Sequence, residues 1–460
     1  MYGAIIALLA FGVVSAPGEF QAGVARKVIT PTESVWLSGY AARTKASEGV
    51  EHDLWVKALS LEDAQGGRVV IIAADLIGLP RGVCEEVAAR VKDKHGLERG
   101  QLVFNASHTH SGPMIRSNLD SLFDGDAGDL QRLIEYRRRL VDALVEVVGL
   151  SLADLSPATL EVGHSSAEFA INRRQSINKN VKIGVNPVGP VDHDVPVLKI
   201  ASADGKVRAV LFGYACHNTT LGGNSYLING DYAGFAQSEL EKDLPGATAM
   251  FLQLCGGDQN PHPRGTMELA RGHGKTLAGA VLKALEGELK PITPAIRTAY
   301  DEVKLEIARK DRAVFEAEAK SDDRFRRRRA ESILEALDAG RDVWHVSAPV
   351  QVVAFGGNLA MVALGGEVVV DYSLRLKREF PDIDLIVAGY SNDVMCYVPS
   401  RRVLREGGYE PDSSMIYYGI AGPFTENVED AAIEACRRVL AQAGVKRENP
   451  TAEKTKKPID

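Results

Sequence analysis

The sequence predicts an α/β protein: a single large domain of mixed β-sheets flanked by helices, with its functional site at the carboxyl ends of strands. Three observations carry this reading. Runs rich in Val, Ile and Leu alternate with stretches of helical period, the pattern of α/β folds. The segment "FGGNLA" (355–360) joins two apolar runs through a turn short enough for a hairpin, which makes the sheet mixed rather than wholly parallel. No internal repeat or long low-complexity linker divides the 460 residues, although length alone would allow two or three domains.

The chain opens on "MYGAIIALLAFGVVSAPGEF", where an apolar stretch from Ile5 to Val14 leads to small residues and "VSA" ends at Ala16. That pattern predicts a signal peptide over residues 1–16 and an exported protein, secreted or periplasmic. The first residues carry no Lys or Arg, so a buried first strand or helix is the competing reading. The run is shorter than the roughly 20 apolar residues that span a membrane. One domain is expected over 17–445, followed by a polar tail over 446–460 that is expected to be disordered.

Within the domain, strands are expected at "RVVIIAADL" (68–76), "QLVFNAS" (101–107), "ATLEVGHSS" (158–166) and "VRAVLFGYAC" (207–216). Further strands are expected at "TAMFLQLC" (248–255), "VQVVAFG" (350–356), "NLAMVALGG" (358–366) and "DLIVAGYSND" (384–393). Helices are expected at "GVCEEVAARVKDKHG", "QRLIEYRRRLVDALVEVVG", "DYAGFAQSELEKDL" and "TLAGAVLKALEGEL". Residues 313–340 read as one or two highly charged helices whose "RFRRRR" could meet anionic lipid or nucleic acid, or form a solvated face with acidic neighbours. The second reading is favoured. A formal net charge of −7 and a pI near 5.9 argue against nucleic acid as a partner.

Five cysteines, Cys84, Cys216, Cys255, Cys396 and Cys436, are too scattered for a disulfide framework. No C-x-x-C occurs, which excludes a thiolate zinc cluster. Most of the five sit in apolar strand-like runs and read as core residues, with one buried disulfide left open.

The chemistry lies where strands run out. "NASHTHSGPM" (105–114) places His108 and His110 one residue apart, directly after an apolar run. Side chains at i and i+2 share a face in extended chain, so both imidazoles can aim at one point, as a metal ion or a metal with an adjacent acid/base requires. The same pattern recurs. "VRAVLFGYAC" runs into His217, "NLAMVALGG" into Glu367, and "DLIVAGYSNDVMC" into Tyr397. Two or three imidazoles with one carboxylate suit Zn²⁺ with an open position, and such an ion lowers the pKa of a water and polarises a carbonyl. Plainer readings stand beside each residue. His217 could be a hydrogen-bonded strand-end residue, Glu367 a carboxylate at a helix start, and Tyr397 a half-buried aromatic. Spacing alone does not show that they converge.

The block "NASHTHSGP" resembles the histidine motif of the neutral/alkaline, non-lysosomal ceramidases. "AGVARKVITP", "WLSGYA" and "EHDLWVKALSLED" resemble the opening segments of that family, and "INRR" its arginine motif. "HNTTLGGNSYLINGDYAGF", "GGDQNP", "GGEVVVDYS" and "YVPSRRVLREGGYEP" follow in the family's order, so the resemblance extends from about residue 20 to 435. It implies that His108, His217, Glu367 and Tyr397 coordinate zinc. It further implies that His110 shuttles protons beside the metal, that Arg173 contacts the substrate or the developing oxyanion, and that Tyr409 hydrogen-bonds the tetrahedral oxygen. The activity implied is zinc-dependent hydrolysis of the N-acyl bond of ceramide or a related N-acyl lipid, releasing a fatty acid and an amine.

Two departures bear on the substrate. The family commonly has Gly-Asp-x-Ser-Pro where this chain reads Gly257-Asp258-Gln259-Asn260-Pro261, and Asn260 cannot attack a carbonyl, so a serine mechanism there is excluded. Well-known ceramidases also carry a β-rich C-terminal domain with no counterpart in the matched segments, which leaves ceramide itself open. The alternatives are a zinc hydrolase of the same fold acting on another amide or ester, carbohydrate-linked compounds included, and a catalytically silent binding protein. A serine hydrolase is disfavoured because no G-x-S-x-G elbow is present. The expected partner is a small-molecule or lipid substrate, with peripheral membrane contact left open and no protein partner inferred.

Overall fold

The computed structural model describes residues 20–117 and 119–446; residues 1–16, expected to be a signal peptide, and the tail beyond residue 446 lie outside the described residues. Twelve strands build two sheets. The first uses β1 (Phe20–Val28), β2 (Trp55–Glu62), β3 (Arg68–Ala74), β4 (Leu102–Ala106), β5 (Ser156–Ser166), β6 (Asp194–Ser202), β7 (Val207–Tyr214) and β8 (Thr248–Gln253). Their order is β8-β7-β6-β5-β1-β2-β3-β4, with residues 290–291 adding a short edge to β5. The second uses β9 (Ile296–Glu306), β10 (His345–Phe355), β11 (Leu359–Leu364) and β12 (Asp384–Ala388), in that order.

Within these two sheets most neighbours are antiparallel, but three pairs are parallel among the described residues: β3/β4, β7/β8 and β11/β12. Each parallel pair is connected by a crossover helix, α1 (Arg81–His95), α3 (Asp231–Asp243) and α7 (Asp371–Glu379) respectively. The remaining large helices are α2 (Ala127–Ala153), α4 (Met267–Glu286), α5 (Arg312–Glu318), α6 (Arg324–Asp338) and the helix Val428–Gln442. The hairpin expected at "FGGNLA" forms between β10 and β11, pairing Phe355 with Leu359.

Side-chain alternation explains the layering. In β3, Val69 and Ile71 face the second sheet, while Val70 and Ile72 face α1 and α2. In β11, Leu359 and Met361 face the first sheet, whereas Ala360 and Val362 face the outer helices. Strands buried on both faces therefore read as continuous apolar runs. The two sheets stack through a shared core. Helices α1 to α4 cover the outer face of the first sheet, and α5, α7 and Val428–Gln442 are among those packed on the second. Each fully buried Val, Leu or Ile contributes about 1.5–3 kcal/mol. Among the described residues, no helix is long and apolar enough to cross a membrane.

All five cysteines are free and buried, so no disulfide forms among them. Cys216, Cys255 and Cys396 lie beside strands, as expected of most of the five, while Cys84 packs from α1 and Cys436 from the helix Val428–Gln442. The charged stretch resolves into α5 and α6, and its arginines are internally matched. Arg324 and Arg328 pair with Asp124, Arg329 and Arg326 with Glu318, and Arg327 donates to the Ser321 carbonyl at 2.7 Å.

A polar contact also links the two sheets through β5, β6 and β12. His164 on β5 reaches Asp194 on β6 and Asp384 on β12, each at 2.8 Å. Burial acts to lower its pKa, but the two carboxylates outweigh it and raise the value to about 9. A histidine pKa raised in the folded state stabilises fully below its unfolded value, about 6.5, and the gain is lost as pH rises through about 9. His164→Gln is therefore expected to lower the melting temperature more at pH 6 than at pH 10. An equal drop at both would show that the charge contributes nothing.

Candidate metal centre

The carboxyl ends of the three parallel strand pairs meet in one place, and the turns leaving them carry the polar residues. This is the position at which open α/β sheets place ligands. Asn105, at the end of β4, fastens the three pairs together. Its Nδ2 donates to the carbonyls of Gln253 at 3.2 Å and Gly389 at 2.9 Å, while its Oδ1 accepts from the Gln253 N–H at 2.9 Å. Buried and fully engaged, this amide holds the ends of β4, β8 and β12 in register.

His108 leaves β4 with a left-handed backbone (φ +64°) and is fully buried. Its N–H donates to the Leu76 carbonyl at 2.8 Å, and its Nδ1 lies 2.6 Å from the Ile77 carbonyl. His217 follows β7, with its Nδ1 2.8 Å from the Gly256 carbonyl. A carbonyl only accepts, so each Nδ1 carries the proton and each Nε2 turns a lone pair inward. Both lone pairs point at the same atom. Glu367 Oε2 lies 3.1 Å from His108 Nε2 and 3.0 Å from His217 Nε2.

Glu367 and Tyr397 are neighbours because residues 367–368 and 397–398 form a two-residue parallel ladder that pairs them directly. Gly366 makes this approach available: its φ is +89°, and a Cβ there would sit 2.7 Å from Val398 Cγ2. The Tyr397 hydroxyl lies 3.1 Å from His217 Nε2, and its ring stacks on that imidazole at 10°. The helix-start reading of Glu367 does not hold, since α7 begins at Asp371. The residue that meets this helix start is Asp258, whose Oδ1 accepts from the Val370 N–H at 2.9 Å.

His110 stands at the edge of the group, with Nε2 3.1 Å from His108 Nε2 and its ring 4.8 Å from that of Tyr40. One ring nitrogen from each of His108, His110 and His217 lies within 4.8 Å of the other two. Gly39 adjoins this imidazole, and a Cβ at that position would come within 2.3 Å of His110 Nδ1. Among the described residues, His110 Nδ1 is a buried atom without a hydrogen-bond partner.

Arg173, on the strand Ala170–Ile177, donates from Nη2 to the Tyr397 hydroxyl at 3.0 Å and from Nε to Glu410 at 2.8 Å. Arg174 pairs with the other Glu410 oxygen. One buried carboxylate thus holds two buried guanidiniums, and the geometry of the arginine is set by this anchor. Tyr409 packs edge-on against Tyr397 at 5.5 Å, beneath the Arg173 guanidinium. Asn260 Oδ1 accepts from Arg173 Nη1 and Thr219 Oγ1, both at 3.3 Å.

Electrostatics follow from this packing. Burial brings His217 down to about 4, and the Arg173 charge acts the same way. Burial also holds His110 well below the usual histidine value, helped by His108 and His217. Burial pushes the Tyr397 phenol well above 10, against the opposing Arg173 charge.

Every predicted site residue is therefore in this one cluster, at the floor or wall of a cavity of about 230 Å³ lined by His110, Arg173, Glu367, Tyr397 and Tyr409 among others. Three residues of the cluster were not anticipated. Tyr418 donates to Glu367 Oε1, Tyr390 donates to Glu367 Oε2 at 3.4 Å, and Glu410 anchors Arg173. Tyr390 obeys the strand-end rule that picked out the others, since it lies two residues after β12. Nothing local distinguishes Tyr418 or Glu410.

The donor set fits a metal ion on its own chemistry. Two imidazole lone pairs and a carboxylate oxygen face one another at hydrogen-bond distance with no proton to share, and a cation resolves that repulsion. Fold and site together define an α/β protein with a buried histidine–carboxylate centre open to a cavity. The family model for the neutral/alkaline non-lysosomal ceramidase N-terminal region matches residues 20–291, and the chain belongs to this family.

Relatives agree. The neutral ceramidase of Pseudomonas aeruginosa is 27 % identical over 255 residues, covering 53 % of this chain and 37 % of its own. That of Mycobacterium tuberculosis is 28 % identical over 256 residues, covering 50 % and 38 %. The matched part thus spans well under half the length of these curated relatives. The crystal structure of the Pseudomonas aeruginosa enzyme superposes with a TM-score of 0.71 at 19 % identity, covering 94 % of this chain and 76 % of that one. A ceramidase complexed with C2 superposes at 0.70 and 18 % identity. At these identities the superpositions establish the fold.

Proposed function

We propose that this protein is a zinc-dependent amidohydrolase that cleaves the N-acyl bond of ceramide or a related N-acyl lipid, with zinc held by His108, His217, Glu367 and Tyr397. The observation that carries the reading is the convergence of these four side chains, far apart in sequence, with their acceptor atoms facing inward. Donors about 2.0–2.1 Å from a tetrahedral zinc stand about 3.3 Å apart. The contacts found here are 3.0, 3.1 and 3.1 Å. Zinc, when bound, supplies a Lewis acid and lowers the pKa of a water.

The chain's own groups meet the remaining requirements of amide hydrolysis. His110, kept neutral by burial, takes a proton from the attacking water and returns it to the nitrogen as the C–N bond breaks. Arg173 presents a fixed positive charge to the cavity, where the carbonyl oxygen gains negative charge. The Tyr409 hydroxyl has no hydrogen-bond partner among the described residues and can donate to that oxygen. Asn260 contributes polarity and no nucleophile, so the reaction needs no serine. The N-terminal segment supports export, secreted or periplasmic, as part of the same proposal.

Metal analysis of the purified protein, with incubation against labelled ceramide and a panel of N-acyl amines, tests the reading. About one zinc per chain and release of fatty acid are expected. Absence of tightly bound zinc, or inertness towards the whole panel, would overturn it.

A further inference from the structure

The cavity wall beside His110 is built around Tyr40, and two arginines meet that residue with no ion pair of their own among the described residues. Arg264, on the turn after Pro261, lines the cavity and donates from Nη2 to the Tyr40 hydroxyl at 3.2 Å. Arg43 lies behind the ring, its guanidinium carbon 5.1 Å from the Tyr40 centroid. It is almost fully buried and donates only to carbonyls, those of Ser38 and Ser225, while its Nε has no partner. Burial lowers its pKa to about 10, the mark of a cation lacking a counter-ion.

None of the nearby carboxylates forms an ion pair with either arginine among the described residues. Asp231 accepts from the N–H groups of Leu221 and Tyr232, Glu410 holds Arg173 and Arg174, and Glu367 faces the imidazoles. Arg264, on the exposed rim, and the buried Arg43 thus bring positive charge to the wall beside His110 that no ion pair takes up among the described residues. Other parts of the lining, Leu119, Leu122 and Ile183, are apolar.

We propose that Arg264, backed by Arg43, binds a carboxylate on the amine half of the substrate, so that N-acyl amino acids are the preferred substrate class over neutral N-acyl amides. This rests on the N-acyl hydrolase reading. The side of the scissile bond follows from His110, which delivers the proton to the leaving nitrogen and packs on the ring whose hydroxyl Arg264 contacts. A carboxylate one carbon from that nitrogen lies on the same side, and a guanidinium matches its planar pair of oxygens. Water oxygen bonds to the acyl carbon, the C–N bond breaks, and the nitrogen takes up the proton, giving a fatty acid and a free amino acid.

Calorimetric titration of the purified protein with N-decanoylglycine and with neutral N-decanoylglycinamide tests this, alongside hydrolysis of both. The acid is expected to bind about tenfold tighter or more. Added salt should narrow the gap, Arg264→Gln should close it, and Arg264→Lys should keep part of it. Equal binding by the wild-type protein overturns the proposal, and this arm stands whether or not the variants fold. A preference that survives in folded Arg264→Gln also overturns it, because the carboxylate would then be held elsewhere, the metal included. Hydrolysis of both compounds without preference defeats the carboxylate site alone. An intact binding preference with no hydrolysis of any N-acyl compound defeats the hydrolase reading alone.

Discussion

His217→Ala is expected to remove bound zinc and activity together. The imidazole is fixed at both ends, by the Gly256 carbonyl at 2.8 Å on one side and by Glu367 and Tyr397 at 3.0 and 3.1 Å on the other. Alanine leaves the Glu367 carboxylate facing His108 with one donor missing from the set. Losing a group that merely orients a ligand costs about 10–100-fold in metal affinity, so losing a ligand should exceed that. Competition with a chromophoric chelator reads the affinity, and turnover of an N-acyl substrate reads the activity. The variant should remain folded, because both sheets keep their cores, and circular dichroism checks this. Retention of a full equivalent of zinc at wild-type affinity would remove His217 from the ligand set.

His110→Ala should behave differently. Its Nε2 lies 3.1 Å from His108 Nε2, and one of its ring nitrogens falls within the same 4.8 Å cluster as those of His108 and His217. Proximity therefore does not separate ligand from base. Surroundings do. His108 and His217 each have Nδ1 tied to a backbone carbonyl, which fixes Nε2 as an inward lone pair, whereas His110 Nδ1 has no such tie among the described residues. An unfastened imidazole beside a cavity suits proton transfer rather than ligation. The alanine variant is expected to keep its zinc while turnover falls by about 10²–10⁴-fold, the usual share of a general acid/base. Loss of zinc with loss of turnover would make His110 the ligand and reverse the division of roles.

How much of this was legible beforehand depends on how local the signal is. The strands at β3, β4, β7, β8, β10, β11 and β12 were readable as largely unbroken apolar runs, and β5 from its alternating pattern. β9 escaped notice. Its "IRTAYDEVKLE" is mostly half-buried or exposed, and it is held in the sheet by eleven paired positions along β10 rather than by its own hydrophobicity. The turns carrying His108, His217 and Glu367 were readable because rare, chemically capable residues follow strand ends.

Other features of the site have no local signature. Glu410 is an ordinary acidic residue until the fold brings Arg173 and Arg174 to its two oxygens. Asn105 belongs to a strand-end motif, yet its anchoring of β8 and β12 appears only when 148 and 284 residues of separation are closed. Arg264 looks like any surface arginine in "HPRGT"; its meaning comes from Tyr40, across 224 residues.

From its own letters, then, the chain specified the α/β class, most of its strands and the residues able to hold a metal, because hydrophobic period and side-chain chemistry are properties of short segments. Only the tertiary structure decided that two sheets stack, that the ends of three parallel strand pairs face one point, and which atoms turn inward there. Those outcomes depend on distances between residues remote in sequence, and such distances are set by packing of the whole chain rather than by any segment of it.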